Sequence, residues 1–443
     1  MIKSTFYIEN LGCAKNAADA EAMIASLESE GWKCLESPEL ARLIIINTCG
    51  FIEAARKESV DVTLGYRRRF PDKSIILGGC FSQQHGERLA DLIPEVDGVF
   101  GNRAPARIDE ILGDVLCQSR PVFLPEEYRF DSQRATRGSP AGSSYLKIAE
   151  GCDNRCSYCS IPLIRGGLRS RELDDVVKDA HRLLDEGLRE LVLIAQDLGS
   201  YGLDRGSCQL PKLLKKILMM AGEYWIRLLY IHPDRFPSEI LSICRDDSRL
   251  IPYFDVPVQH ASRRIVGSMN RAGDSTAYLR LVDGIRSKVP DAVIRTTFLV
   301  GFPGETARDF AVLQDFQKRA TFDWLGIFAF SREEGTRAYS QGLFPGAAHL
   351  LKKAIVKKRI DLIQETQQPI TEGRLDGFIG RELPVLIEED MKGDDLFLGR
   401  CYAHAPEVDA LVVIHGHALP VGDFVRCRIV KRNGLDLEAV CLP

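Results

Sequence analysis

Apolar runs typical of buried strands alternate with segments of helical periodicity in the first third of the chain. The predicted strands are Thr5–Glu9, Leu43–Asn47 and Ser74–Leu77. A helical segment follows each strand; the first ends at Gly31, the second spans Ala54–Tyr66 and the third runs from Ser82 to Ile93. Because alternating strands and helices favour a parallel sheet covered on both faces, residues 1–117 are predicted to form a doubly wound domain.

The same alternation resumes after a segment that breaks the pattern. Residues 118–144 include a stretch rich in Ser, Gly, Arg and Pro, and we interpret them as an extended linker. Residues 145–371 contain six predicted strands, Tyr145–Ala149, Glu190–Ile194, Ile226–Ile231, Tyr253–Val256, Val293–Leu299 and Trp324–Phe330. Helical segments lie between these strands. Six β/α units in succession indicate a partial (β/α)6 barrel.

Two helix boundaries in this region carry local signals. Thr306 with Asp309 three residues later predicts a capping box at the start of a helix that ends at Ala320. A second, long helix is predicted to begin near Ala348, and Pro369 is expected to end it.

The last part of the chain, residues 376–443, has a different pattern of short strands. The predicted strands are Glu382–Ile387, Leu396–Ala403, Leu411–Ile414, Phe424–Val430 and Leu437–Cys441. Five short strands indicate a small β-barrel of the OB type. The predicted fold class is therefore α/β multidomain, with a doubly wound sheet, a partial barrel and a small β-barrel in that order.

Composition excludes several classes of protein. The chain of 443 residues is 45% apolar and 27% charged, which is typical of globular proteins. The amino terminus has no long apolar segment, and no stretch approaches the roughly 20 apolar residues of a membrane span. Thirteen cysteines without a signal peptide favour a reducing compartment. We therefore expect a cytoplasmic protein without membrane contact.

Three closely spaced cysteines, Cys152, Cys156 and Cys159, follow the first predicted strand of the barrel. Thiolates are soft ligands that suit iron or zinc. A structural zinc site has four ligands, whereas three thiolates on a cubic iron–sulfur cluster leave one iron open to a small molecule. A zinc knuckle with a distant fourth ligand and three structural thiols remain the alternatives.

A second set of three, Cys13, Cys49 and Cys80, is dispersed along the first domain. Each lies a few residues past the carboxyl end of a predicted strand. Ligands of open parallel sheets bind at that edge, so the three thiols are expected to converge and to hold a second centre. Three buried core cysteines are the alternative.

The spacing Cys-x3-Cys-x2-Cys with Tyr158 before the last cysteine resembles the signature of radical S-adenosylmethionine (SAM) enzymes. The segments Gly12–Asn16 and Asn47–Glu53 resemble the first domain of methylthiotransferases, and residues 376–443 resemble a TRAM domain. The resemblance implies two 4Fe-4S clusters and SAM. It also implies that one SAM methylates a sulfur at the second cluster, while another supplies a radical that removes hydrogen from the substrate.

Other residues at strand ends are candidates for SAM contacts. Tyr158 could pack on the adenine, Gln196 follows the second barrel strand, and Gly301 and Gly304 form a turn that resembles a SAM-contact segment. Arg165, Arg169 and Arg171 could neutralise a carboxylate or the substrate, although solvated surface charge is the usual fate of arginine.

Charge favours one branch of the family. Residues 376–443 contain seven Lys and Arg against twelve Asp and Glu, a net charge of −5. An acidic module would repel tRNA and attract a basic protein. The family that the chain resembles has one branch that modifies an adenosine of tRNA and another that modifies the β-carbon of an aspartate in a basic, small-subunit ribosomal protein. Between these two branches, the charge predicts methylthiolation of the aspartate. Expected partners also include a reductant such as flavodoxin or ferredoxin, and the chain is expected to be a monomer.

Two alternatives remain. One is a methylthiotransferase that modifies N6-isopentenyladenosine in tRNA, and the other is a non-catalytic, metal-binding scaffold for RNA. Ala14 departs from the ribosomal-protein branch, which commonly has Pro at that position.

Overall fold

The structure is a computed structural model that describes residues 4–130, 140–340, 351–392 and 395–442. Most of the linker segment 132–144 that is rich in Ser, Gly, Arg and Pro lies outside these residues, as does the predicted start of the long helix near Ala348. None of the described helices combines the length and the apolar character needed to cross a membrane.

The first domain is a parallel sheet with helices on both faces. Its strands, in the order β2-β1-β3-β4-β5-β6, are β1 (Ser4–Asn10), β2 (Trp32–Cys34), β3 (Leu43–Thr48), β4 (Ser74–Gly79), β5 (Gly98–Phe100) and β6 (Val122–Phe123). Its helices are α1 (Ala14–Ser29), α2 (Glu53–Arg69), α3 (Cys80–Leu92) and α4 (Leu112–Leu116). Successive residues of β3 pack into opposite layers, Leu43 and Ile45 into one and Ile44 and Ile46 into the other. The doubly wound prediction is confirmed.

The central domain contains six parallel strands in the order β14-β13-β12-β11-β10-β7. These are β7 (Ser143–Lys147), β10 (Glu190–Ile194), β11 (Trp225–Leu228), β12 (Leu250–Asp255), β13 (Val293–Val300) and β14 (Trp324–Ala329). A two-stranded antiparallel ribbon, β8 (Ala149–Glu150) and β9 (Arg169–Ser170), flanks them. The helices are α5 (Ile161–Arg165), α6 (Leu173–Asp185), α7 (Leu210–Leu218), α8 (Glu239–Asp246), α9 (Arg263–Ser268), α10 (Ser275–Lys288), α11 (Ala307–Ala320), α12 (Arg337–Ser340) and α13 (Lys353–Asp376). The partial barrel is thus confirmed.

One of the two predicted helix boundaries is confirmed and the other is wrong. Thr306 and Asp309 form the capping box of α11, with each side chain accepting the other residue's backbone N–H. Pro369, however, lies inside α13, which continues to Asp376. Buried residues on both sides of Pro369, Gln367 and Thr371, bond to the backbone oxygens of Phe322 and Asp323. These tertiary contacts hold the helix through the proline.

The carboxyl-terminal domain is a closed five-stranded barrel in the order β15-β16-β17-β19-β18. Its strands are β15 (Glu382–Met391), β16 (Leu396–Arg400), β17 (Val412–His415), β18 (Phe424–Asn433) and β19 (Asp436–Cys441). It packs against the amino-terminal ends of the central strands: Trp225 lies 4.5 Å from Phe424 between ring centroids, and Trp324 Nε1 donates to the Ala403 oxygen at 2.8 Å.

A buried ion triad fixes this junction. Glu190, at the start of β10, accepts from Arg227 Nε at 2.7 Å and from Arg400 Nη2 at 2.6 Å, and all three side chains are buried. Burial opposes ionisation of Glu190, but the two guanidinium groups outweigh it and lower its pKa to about 2. The contribution of this carboxylate to stability is therefore present above the ordinary carboxyl pKa and is lost as the pH falls toward about 2.

Helix α1 closes the opposite end of the central barrel. Ala14, Ala17 and Ala18 share one apolar cluster with barrel residues such as Val192 and Ile194. Small side chains let the helix approach the strand ends closely. The first domain therefore inserts the beginning of α1, directly after Cys13, into the mouth of the barrel.

We predict that Glu190→Gln lowers the free energy of unfolding by about 3–5 kcal/mol, because two buried guanidinium groups lose their carboxylate. Urea denaturation followed by fluorescence measures this, since Trp225 and Trp324 lie at the same junction. The matched control is Asp423→Asn, which removes the partly exposed pair with Arg189 at this junction and should cost under about 1 kcal/mol. Equal losses in the two variants would contradict the role of the triad.

Candidate active site between two cysteine triads

The first cysteine triad, Cys13, Cys49 and Cys80, lies at one edge of the first sheet. Cys13 directly precedes α1, Cys49 directly follows β3, and Cys80 begins α3 after β4. In the strand register Asn10 pairs with Asn47 and Asn47 pairs with Gly78, so the three strands end side by side. The structure brings Cys13 and Cys80 together, because Asn16 Oδ1 lies 3.7 Å from both Cys13 Sγ and Cys80 Sγ, and the charges of Cys80 and Cys13 act on Cys49.

Two glycines make this convergence possible. A Cβ atom at Gly50 would lie 2.8 Å from the backbone nitrogen of Phe81, so Gly50 allows the Cys49 loop to reach the start of α3. Gly79 has φ of +95°, and a Cβ there would lie 2.5 Å from the Thr48 oxygen. Larger residues at either position would force the cysteine loops apart.

The second triad, Cys152, Cys156 and Cys159, occupies the loop after β8 at the carboxyl end of the barrel strands. The Cys152 nitrogen donates to the Gly166 oxygen at 3.1 Å, and the Cys159 nitrogen donates to the Cys156 oxygen at 3.1 Å. Ser157, between them, donates from its backbone to the Met269 oxygen at 3.0 Å. All three cysteines are partly accessible.

The loops that carry the two triads touch each other. Ser160, next to Cys159, donates its hydroxyl to the oxygen of Phe51, two residues past Cys49, at 3.5 Å. Arg165, at the end of α5, places Nη2 at 3.1 Å from Cys80 Sγ. The loops that carry the two triads therefore meet at the mouth of the barrel.

Arg165 is the centre of a buried charge network at this site. Its Nη2 contacts Asp19 Oδ2 of α1 at 3.0 Å, and its Nη1 contacts both oxygens of Glu150 at 3.1 Å. Lys147 also contacts Asp19 and Glu150. Burial opposes ionisation of Glu150, but Arg165 and Lys147 outweigh it and lower its pKa to about 2. Two cations and two carboxylates thus balance across the domain boundary.

Burial raises the pKa of five of the six thiols, whereas at Cys13 the charges of Lys15 and Arg165 outweigh burial and lower the pKa. Burial raises the pKa of Cys49 to about 12 and that of Cys152 to about 11. Metal centres bind thiolates, so each thiol has to release a proton when it becomes a ligand.

The number of ligands distinguishes a structural zinc site from a cubic iron–sulfur cluster. A zinc site needs four ligands around one ion. In the described parts of the chain, no three His, Cys, Asp or Glu side chains gather around one ion position. In a cubic cluster each thiolate binds a different iron, so the sulfurs need not meet at one atom. Each set of three thiols is one ligand short of a structural zinc site and equals the number that a cubic cluster with one open iron needs.

The predicted SAM contacts fall into two groups. Tyr158 is half-buried against an apolar cluster that includes Phe302, which is in the turn between Gly301 and Gly304. Gly301 and Gly304 have φ of +82° and +81°. Gln196 instead lies in the charge network, where its Nε2 donates to Glu150 and its Oε1 is buried without a partner among the described residues.

The three candidate arginines have different surroundings. Arg165 lies between the triads, as described above. Arg171 is buried and pairs with Asp179 at 2.7 Å, away from the cysteines, and Arg169 is exposed. Four charged residues of this site were not predicted from the sequence: Lys15, Asp19, Lys147 and Glu150. The only sequence signal was the position of these charges beside the cysteines and the barrel strands.

Comparison with known proteins covers each domain. The chain matches "Uncharacterized protein family UPF0004" over residues 5–101, the Radical SAM superfamily over residues 146–316 and the TRAM domain over residues 379–442. Among solved structures, the radical S-adenosylmethionine methyltransferase TsrM from Kitasatospora setae aligns with a TM-score of 0.56 at 16% identity, over 77% of this chain and 78% of TsrM. This likeness concerns the fold.

Two curated relatives align over nearly the whole chain. "Ribosomal protein uS12 methylthiotransferase RimO" of Treponema denticola is 40% identical over 97% of this chain and 99% of the relative. The protein of the same name from Carboxydothermus hydrogenoformans is 38% identical, with 98% of each chain covered. With its three domains in this order and this similarity over nearly its whole length, the chain belongs to the RimO family of radical SAM methylthiotransferases.

Proposed function

We propose that this protein attaches a methylthio group to the β-carbon of an aspartate in ribosomal protein uS12. The two relatives, which are 38% and 40% identical, are named as methylthiotransferases of ribosomal protein uS12. The observation that carries the proposal is the contact between the two triads, in which Arg165 joins Cys80 of one loop to Glu150 beside the other. A reaction that takes sulfur from one centre and a radical from another requires both at one cavity.

Each triad has its own role in this proposal. Cys152, Cys156 and Cys159 hold the cluster that binds SAM, and Cys13, Cys49 and Cys80 hold the auxiliary cluster. When bound, the two 4Fe-4S clusters and SAM supply the methyl group, the sulfur and the radical. The radical is required because the β-carbon C–H bond offers no acid or base route of useful pKa.

The chain's own residues position these groups and exclude water. The Arg165 network fixes the distance between the triads, since it is buried and all of its charges are paired. We assign Tyr158, Gly301 and Gly304 to the adenosine end of SAM and Gln196 to a polar contact from the network. Helix α1 above and the carboxyl-terminal barrel below close the central barrel, which protects a radical from solvent.

The surface of the TRAM domain supports a protein substrate over tRNA. Several of its cations are engaged by its own acids: Arg428 with Glu382, Arg432 with Asp376, and Lys431 with Glu438. By contrast, Glu389 and Asp390 are exposed at the end of β15, beside the hairpin that joins β15 to β16. These acids suit a basic ribosomal protein. We further propose a cytoplasmic monomer that receives electrons from flavodoxin or ferredoxin.

Loss of either triad should remove half of the bound iron. After anaerobic reconstitution the protein should hold about eight irons per chain, and a triple Cys→Ala variant at 13, 49 and 80 should hold about four. The triple variant at 152, 156 and 159 should also hold about four, whereas Cys244→Ala, which removes a buried packing thiol, keeps about eight. Iron and sulfide analysis measures this, and zinc without iron would contradict the assignment.

Mass spectrometry of uS12 tests the activity. Incubation with the reconstituted protein, SAM and a reductant should add one methylthio group to an aspartate of uS12. The triple variant at 13, 49 and 80 should still cleave SAM to 5′-deoxyadenosine but add no sulfur, because only the auxiliary centre is lost. A methylthio group on tRNA with none on uS12 would overturn the substrate assignment.

The acidic hairpin should strengthen uS12 binding. Replacing both Glu389 and Asp390 by Lys should weaken binding about fivefold at low salt, and less at high salt, because the charges are exposed and screened. The matched control replaces Asp174 and Asp175 of α6, two adjacent and exposed acids on the barrel, by Lys. Titration of labelled uS12 measures both, and equal losses would show a non-specific charge effect.

A further inference from the structure

Lys15 is a buried cation in the same site. It is the second residue of α1 and lies two residues past Cys13, with only 8% of its surface exposed. Its Nζ lies 3.4 Å from the centroid of the Tyr230 ring, which projects from the carboxyl end of β11. The ammonium group is therefore inside the mouth of the barrel, on the side of the first triad, which contains Cys13.

No carboxylate or carbonyl oxygen of the described residues contacts the Lys15 ammonium. Three neighbouring cations are satisfied, because Lys147 and Arg165 share Asp19 and Glu150, and Arg295 contacts Asp255 at 3.4 Å. The acids nearest to Lys15 are thus engaged elsewhere. Burial lowers the pKa of Lys15, and the charge of Cys13 opposes this more than those of Glu150 and Asp255. The ring of Tyr230 and these charges act without a close oxygen partner, which leaves part of the cost of burying the ammonium group uncompensated.

Arg271 is a second cation without a carboxylate partner among the described residues, but its place is different. Its Nε donates to His232 Nε2 at 2.9 Å, and its charge acts on Tyr158 and Cys156. It therefore belongs to the end of the site where SAM is assigned. Lys15, beside Cys13, belongs to the end where sulfur is assigned.

We propose that Lys15 Nζ binds the side-chain carboxylate of the substrate aspartate. This inference depends on the proposed function. The β-carbon of an aspartate is bonded directly to the carboxylate carbon, so an ion pair at Lys15 holds the reacting carbon beside the Cys13 loop. No bond forms or breaks at Lys15, which is a binding residue. The ion pair also explains selection of Asp over Asn, which has the same shape without the charge.

A double-mutant cycle between enzyme and substrate tests this. The dissociation constants of reconstituted enzyme are measured for uS12 with its target Asp and for uS12 with Asn at that position. The unmodified enzyme should favour Asp by about 10- to 100-fold, the range of a buried, charge-assisted hydrogen bond. Lys15→Met should bring this ratio close to one, and Lys15→Arg should restore part of it. Arg271→Met, the matched control, should leave the ratio unchanged.

Several outcomes would overturn the inference. They are an Asp to Asn ratio near one with the unmodified enzyme, an unchanged ratio in Lys15→Met, or equal weakening of both substrates, which would place Lys15 in cluster binding or folding. The iron content of Lys15→Met shows whether Lys15 is needed for cluster binding. If this variant fails to bind iron, the Asp to Asn ratios of the unmodified enzyme and of Lys15→Arg test the inference instead. An unmodified enzyme that loads about eight irons but neither binds nor modifies uS12 would instead overturn the proposed function.

Discussion

The guanidinium group of Arg165 joins the two domains that carry the cysteine triads. Arg165 extends from the short helix after the second triad and contacts Asp19, Asn16 and Cys80 of the first domain, while its other nitrogen contacts Glu150 of the barrel. A buried ion pair adds little net stability but specifies geometry, because any other docking leaves a charge without a partner. The contacts of Arg165 therefore specify how the two domains dock.

Other parts of the protein pack against both ends of the central barrel. The carboxyl-terminal domain packs under the amino ends of the strands through the Glu190 triad, and α1 covers the carboxyl ends. The TRAM domain therefore lies at the opposite end from the cysteines. In the proposed function it holds a large substrate at a distance from the reacting residue, while α1 and Lys15 define the space around that residue.

Much of the fold and of the cysteine arrangement was predictable from local patterns. Strand and helix periodicity gave the three folds, and the place of each cysteine after a strand predicted convergence. The pairing of charges was not predictable, because Asp19 and Lys147 are far apart in sequence and meet only when the domains dock. Arg359 illustrates the same limit: arginine side chains are usually solvated, but this one is buried against Glu305. Pro369 stays helical for a similar reason, since contacts from other elements outweigh the local preference.

Electron paramagnetic resonance of the reduced protein tests most directly whether the triads share one site. Spectra are compared for the fully loaded protein and for the two triple Cys→Ala variants that each hold one cluster. Clusters held together by the Arg165 contact should broaden each other's signals, so the fully loaded spectrum should differ from the sum of the two single-cluster spectra. A fully loaded spectrum equal to that sum would show two centres too far apart for one substrate to reach both.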